Sequence, residues 1–119
     1  MFLKILCGKI IKVIEINLIR QCLSNLKFTT HAKEEMLYEE YGIIHRNEIT
    51  EALINGEVIE RYAEDKPYPS VLIYGRTFAD RPLHIACAPI AEEKILAIIT
   101  VYQPDPKLWI DYKIRREVK

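Results

Sequence analysis

The residues able to do acid–base work are few, and their positions follow a pattern. His31 opens a helix predicted from Thr30 onward. Free backbone N–H groups at such a terminus attract phosphate, and the helix dipole favours a neutral imidazole that can take a proton. His84 lies mid-strand between Leu83 and Ile85, with the small Ala86 and Ala88 on its own side. Thr100 and Tyr102 stand two residues apart in a strand and so share a side of the sheet. A threonine hydroxyl there could position a phosphate. A tyrosine could hold a ribose hydroxyl or stack on an unpaired base. Arg76 and Arg81 flank the turn around Thr77-Phe78-Ala79-Asp80, and either could grip a phosphate bidentately.

Together these side chains suit metal-free RNA cleavage. That reaction needs a base for the 2′-OH, an acid for the leaving 5′-oxygen and a cation on the phosphorane-like transition state. His31 and His84 are the acid–base candidates, with Tyr102 completing the catalytic set. Thr100 would position the substrate, and Arg76 or Arg81 would hold the phosphate. Each residue also has a purely structural use. His31 can pack or cap, and His84 can sit in the core on a carbonyl. Thr100 and Tyr102 are good strand formers, and the two arginines can be solvated loop residues. Register decides between these uses. Pairing that sets His84 opposite Thr100, with Tyr102 beside it, makes a site, and a one-residue slip abolishes it.

Other chemistries lack their motifs. The three histidines are dispersed, with no HxxxH and no paired-cysteine spacing, so neither a metal nor another cofactor is expected. Cys7, Cys22 and Cys87 are odd in number, have apolar neighbours and read as buried thiols in a reducing cytoplasm. Lys33 reads as a helix surface residue. His45, with Glu48 three residues on, reads as an imperfect capping box.

The elements that must position these groups are legible from periodicity. A helix is expected over 9–24 and an extended link over 26–28. A second helix runs from Thr30, its N-cap, with Glu34 and Glu35 in its first turn, to about Tyr41 and the stop at Gly42. A third covers Arg46 to Ile54 before Asn55-Gly56. Strands follow at Glu57–Tyr62, Ser70–Tyr74 (closed by Gly75), Leu83–Ala88 and Ile95–Tyr102. This order predicts an α+β fold, with two to three N-terminal helices packed on a four-stranded antiparallel meander.

With 119 residues the chain is expected to form one domain, 1–119. Its formal net charge is zero, which weighs against strong non-specific nucleic-acid binding. Residues 33–66 hold ten of the seventeen carboxylates and four of the seventeen cations, so the middle is acidic and the ends basic. Lys4, Lys9, Lys12 and Arg20 with Lys113, Arg115, Arg116 and Lys119 could build a basic surface. Lys9, Lys12 and Glu15 interrupt the apolar N-terminal stretch, so a soluble cytoplasmic protein is expected.

A string of short motifs carries a family resemblance. They are Thr30-His31-Ala32 with Met36, Asn55-Gly56-Glu57-Val58-Ile59-Glu60 with Tyr62, and Pro67-Tyr68-Pro69-Ser70. Arg81-Pro82-Leu83-His84-Ile85 follows, then Ile99-Thr100-Val101-Tyr102 with Pro104-Asp105 and Trp109. Over roughly residues 26–115 the chain resembles the bacterial domain-of-unknown-function family 4258. The resemblance implies a compact RelE/BrnT-like fold and the toxin-like half of a toxin–antitoxin pair. It further implies a small antitoxin partner, often of zinc-finger type, and metal-independent cleavage of an RNA substrate. Two departures remove positive charge beside His31. Glu35 stands where the family has a basic residue, and Tyr41 precedes Gly42 where it has arginine. Both argue against phosphate binding by this helix. They favour a rival reading, a non-catalytic protein-interaction domain on the same fold. The ribonuclease reading requires His31 and His84 to approach one pocket with an arginine nearby.

Overall fold

A computed structural model describes residues 16–117. Residues 16–21 are helical, and Ile19 and Cys22 enter the core. Residues 9–15 of the expected first helix, together with Cys7, Lys4, Lys9, Lys12 and Lys119, lie outside the described residues. Strand β1 (Leu26–Phe28) leads into helix α1 (Thr30–Tyr38) and helix α2 (Arg46–Ile54). Strands β2 (Glu57–Tyr62), β3 (Ser70–Arg76), β4 (Pro82–Ile90) and β5 (Ile95–Tyr102) follow. A small hairpin, β6 (Trp109–Ile110) and β7 (Ile114–Arg115), closes the described chain.

The architecture is α+β, with one five-stranded sheet ordered β1-β5-β4-β3-β2. The expected four-stranded sheet is corrected to a mixed five-stranded one. Strands β2 to β5 pair antiparallel in sequence, and Leu26–Phe28, expected as a link, pairs parallel with Leu96–Ile98. A three-residue parallel strand has no turn of its own to announce it, because its partner lies seventy residues away.

Local details also move. Thr29, not Thr30, caps α1, its hydroxyl accepting the Ala32 N–H at 3.0 Å. Glu34 and Glu35 therefore fall beyond the first turn, and the helix ends at Tyr38 before the left-handed Gly42 (φ 116°). At α2 the Glu48 carboxylate accepts the His45 N–H at 2.9 Å, half of the expected capping box. Gly75 does not close β3. A Cβ there would stand 1.9 Å from the Ala52 carbonyl oxygen, so the missing side chain lets α2 press onto the continuing strand.

The sheet separates two environments. Val71, Ile73, Leu83, Ile85, Cys87, Leu96, Ile98 and Val101 face the helices and share a core with Ala32, Met36, Ile49 and Leu53. Alternation sends Leu72, Tyr74, His84, Ala86, Thr100 and Tyr102 to the other face. Two carboxylates, Glu35 in α1 and Glu39 at its C-cap, cover the open edge of β5. Glu35 accepts the Val101 N–H and Glu39 the Gln103 N–H, each at 2.9 Å, while the Thr29 hydroxyl donates to the Ile99 carbonyl. This gives the acidic helix a job: it pairs a strand edge that would otherwise stand exposed.

Candidate functional site

The face away from the helices carries the polar cluster. Strands β4 and β5 pair with His84 opposite Tyr102 and Ala86 opposite Thr100, before a bulge shifts the register beyond Ala86. The parity is the one that makes a site, but the contact lies one pair along from the expected His84–Thr100 pairing. The Tyr102 hydroxyl lies 3.1 Å from His84 Nδ1, and the Tyr112 carbonyl oxygen lies 2.6 Å from His84 Nε2. A carbonyl only accepts, so the ring proton sits on Nε2. Nδ1 then accepts the Tyr102 O–H.

His84 is fully buried. Burial pulls its pKa below the ordinary histidine value, despite the hydrogen bond to the Tyr112 carbonyl and the nearby Glu60 charge. Burial likewise pushes Tyr102 up to about 12. The ring is boxed by Trp109, edge-on at 4.4 Å between centroids, and by Tyr74 at 6.0 Å.

The β6–β7 hairpin forms this roof, and β2 anchors it. Arg115 Nε and Nη2 donate to the two Glu60 carboxylate oxygens at 2.8 and 3.1 Å, and the Arg115 guanidinium lies 4.7 Å over the Trp109 ring. The Tyr62 hydroxyl donates to Glu60 Oε1. Burial alone would raise the Glu60 carboxyl. The hydrogen bonds from Arg115 and Tyr62 outweigh it and hold the group below the usual carboxylate range. The same Glu60 partnership raises Arg115. Glu60, Tyr62 and Arg115 were not among the expected site residues, the first two entering only as part of a family motif and Arg115 only as part of a basic surface. Glu60 and Tyr62 did carry a signal, since alternation puts both on one side of β2. The place of Arg115 beside them gave none, because a reversal of the chain after β5 brings it back to β2.

The remaining candidates separate. His31 is exposed, and its Nε2 lies 3.3 Å from Glu35, four residues on in the same helix. No contact joins it to His84, so the expected acid–base pair is not assembled. Arg81 is no solvated loop arginine; its guanidinium is engaged within the protein. Its guanidinium donates to Gln103, Glu48 and the carbonyls of Gly42 and Ile43, at 2.7 Å for the Gln103 bond. It ties the α1–α2 turn to the β3–β4 hairpin. Arg76 donates to the Tyr74 hydroxyl at 3.0 Å and to the Asp80 carbonyl at 2.9 Å. It borders an open cleft of about 510 Å³ with Asn55, Glu57 and Phe78. Thr100 is half-buried on the same face as Tyr102. Cys22 and Cys87 are buried thiols, and burial pushes Cys87 up to about 12, so neither of these two is prepared as a nucleophile. Among the described residues no group of three His, Cys, Asp or Glu side chains could hold a metal ion. No described helix is long and apolar enough to cross a membrane.

Fold and face together define an α+β domain: helices on one side of a mixed sheet, and on the other a buried His–Tyr pair under an aromatic roof. Residues 28–103 match the family described as Domain of unknown function (DUF4258), more than half of the chain, and the chain belongs to that family. Comparison with curated proteins and with solved structures gives no match.

Proposed function

We propose that the chain is a toxin-like protein-interaction domain, of the RelE/BrnT-like kind its motifs resemble, which works by holding a partner protein and not by His31/His84 acid–base chemistry. One observation carries this reading. His84 is fully buried and has both ring nitrogens committed, one to Tyr102 and one to the Tyr112 carbonyl. A general acid or base must reach the proton it moves, and this ring is closed to substrate. The locked Arg81 and the exposed His31 point the same way. The partner that the resemblance implies is a small antitoxin.

A second reading is favoured by one cluster. Glu60, Tyr62 and Arg115 place a carboxylate, a phenol and a guanidinium on the rim of the same face. A metal-independent endoribonuclease could use them as base, proton donor and phosphate ligand. The discriminating experiment is induced expression in bacteria, together with RNA cleavage by purified protein, for wild type, Glu60→Gln and Tyr102→Phe. The interaction reading expects no growth arrest and no cleavage from any of the three. Cleavage by wild type that Glu60→Gln abolishes would replace it with the ribonuclease reading.

A further inference from the structure

Away from the sheet face, α1 turns an apolar strip to solvent. Leu37 is 54% exposed and Ile43, in the turn that follows, is 50% exposed. Between them runs a groove of about 340 Å³ whose floor and walls include Phe28 and Met36, with Lys33 and Arg46 on its rim. The Arg46 guanidinium lies 4.7 Å over the Phe28 ring. Among the described residues neither Lys33 nor Arg46 pairs with a carboxylate. This is anomalous in a segment so rich in acids, where nearby Glu35, Glu39 and Glu48 are committed to backbone N–H groups or to Arg81. Glu34 and Glu40 are also exposed nearby.

The geometry points to this groove as the docking site for an acidic amphipathic helix of a partner protein. An apolar anchor of that helix enters between Leu37 and Ile43, and carboxylates flanking the anchor meet Lys33 and Arg46. The inference rests on the interaction reading above and names where the partner sits. Helix-in-groove recognition needs a solvent-facing apolar trough and anchors spaced by about one turn. The trough supplies the first. The two unpaired cations select the charge that flanks the anchors, and they repel a basic segment. A small-molecule site would bring convergent, fixed polar groups to the cavity. Here the polar contribution is two long cations at the rim, which suits a peptide better.

The test is selection of a displayed library of random helical peptides on the purified full-length chain. Selection is repeated on Leu37→Ser, on Ile43→Ser and on the double variant Lys33→Glu/Arg46→Glu. All these positions are exposed except Arg46's stacked face, and circular dichroism confirms that each variant folds. The expected result is enrichment of peptides pairing Leu or Phe anchors with Asp or Glu. Binding should weaken about tenfold or more in at least one of the two serine variants, since a buried anchor residue carries such a share of affinity. The double variant should select Lys- and Arg-bearing peptides instead. Selection without acidic bias, or with binding unchanged in both serine variants, overturns the proposal. So does a homodimer, seen by sedimentation, that Leu37→Ser dissociates, because the occupant would then be a second copy. RNA cleavage would overturn the interaction reading and leaves these binding outcomes separately readable.

Discussion

His84 owes its state to three neighbours that each fix one degree of freedom. The Tyr112 carbonyl fixes the tautomer, Tyr102 fills the other nitrogen, and Trp109 closes the space above the ring. Removing the ring leaves a cavity and strips a part-buried carbonyl and a part-buried hydroxyl of their partner. His84→Ala should therefore cost about 2–4 kcal/mol in a denaturant titration. Tyr102→Phe, which leaves Nδ1 without a donor, should cost about 1–2 kcal/mol. A pH dependence follows from the same burial. The folded-state pKa of His84 is below its unfolded value, so at neutral pH the ring is uncharged in both states and its contribution is intact. As pH falls below about 6.5, the unfolded chain takes a proton that the folded ring refuses, and stability is lost. The denaturation midpoint should fall between about pH 7.5 and about pH 5.5, and His84→Phe should flatten that slope. A slope unchanged in His84→Phe would place the titrating group elsewhere. Glu60 acts in a lower window. Its depressed carboxyl contributes stability above the ordinary carboxylate range and loses it as pH falls through its folded value.

Among the elements, the helices and the long strands were readable because local rules govern them. Arg46–Ile54, Glu57–Tyr62 and Ile95–Tyr102 stand where capping, glycine stops and alternation put them. The parity that joins His84 to Tyr102 was legible as a condition, though the bulge beyond Ala86 and the exact pair were not. What escaped were features that depend on distant partners: the parallel β1, the edge-capping Glu35 and Glu39, the Arg81 staple and the return of Arg115 to Glu60. Gly75 misled for a related reason. Its glycine serves the approach of Ala52, not a turn. Gly75→Ala should cost about 3 kcal/mol or more, because the colliding atom is backbone and cannot rotate away. Arg81→Ala should cost about 2–3 kcal/mol, since it orphans the half-buried Glu48 of α2 and Gln103 and frees the exposed α1–α2 turn carbonyls. Arg76→Ala removes a more exposed ion pair with Asp80 and should cost under about 1 kcal/mol. Thermal melts of the two arginine variants check the contrast, and equal losses would contradict the staple.

At the scale of the molecule, the sheet is covered on both sides by different means. The helices bury one face with aliphatic packing. The C-terminal hairpin buries the other with Trp109, 4% exposed, and with the Arg115–Glu60 tie, and Leu72 on that face is 2% exposed. The family match ends at residue 103, before this roof begins, yet the buried state of His84 depends on residues 109–115. A chain truncated after Gln103 should therefore lose about 3–5 kcal/mol, the scale of deleting a buried Trp, and should bind a hydrophobic dye on the uncovered face. Trp109→Ala should reproduce most of that loss with the hairpin still attached. Because Trp109 is the sole tryptophan, its emission reports the roof directly. The native protein should show blue-shifted emission, poorly quenched by acrylamide, that moves red at the same denaturant concentration as the loss of circular dichroism. A red shift that precedes the loss of circular dichroism would mean that the roof opens before the sheet unfolds. His84 would then be reachable in the folded protein, and the Glu60 rim would gain an imidazole as a working neighbour.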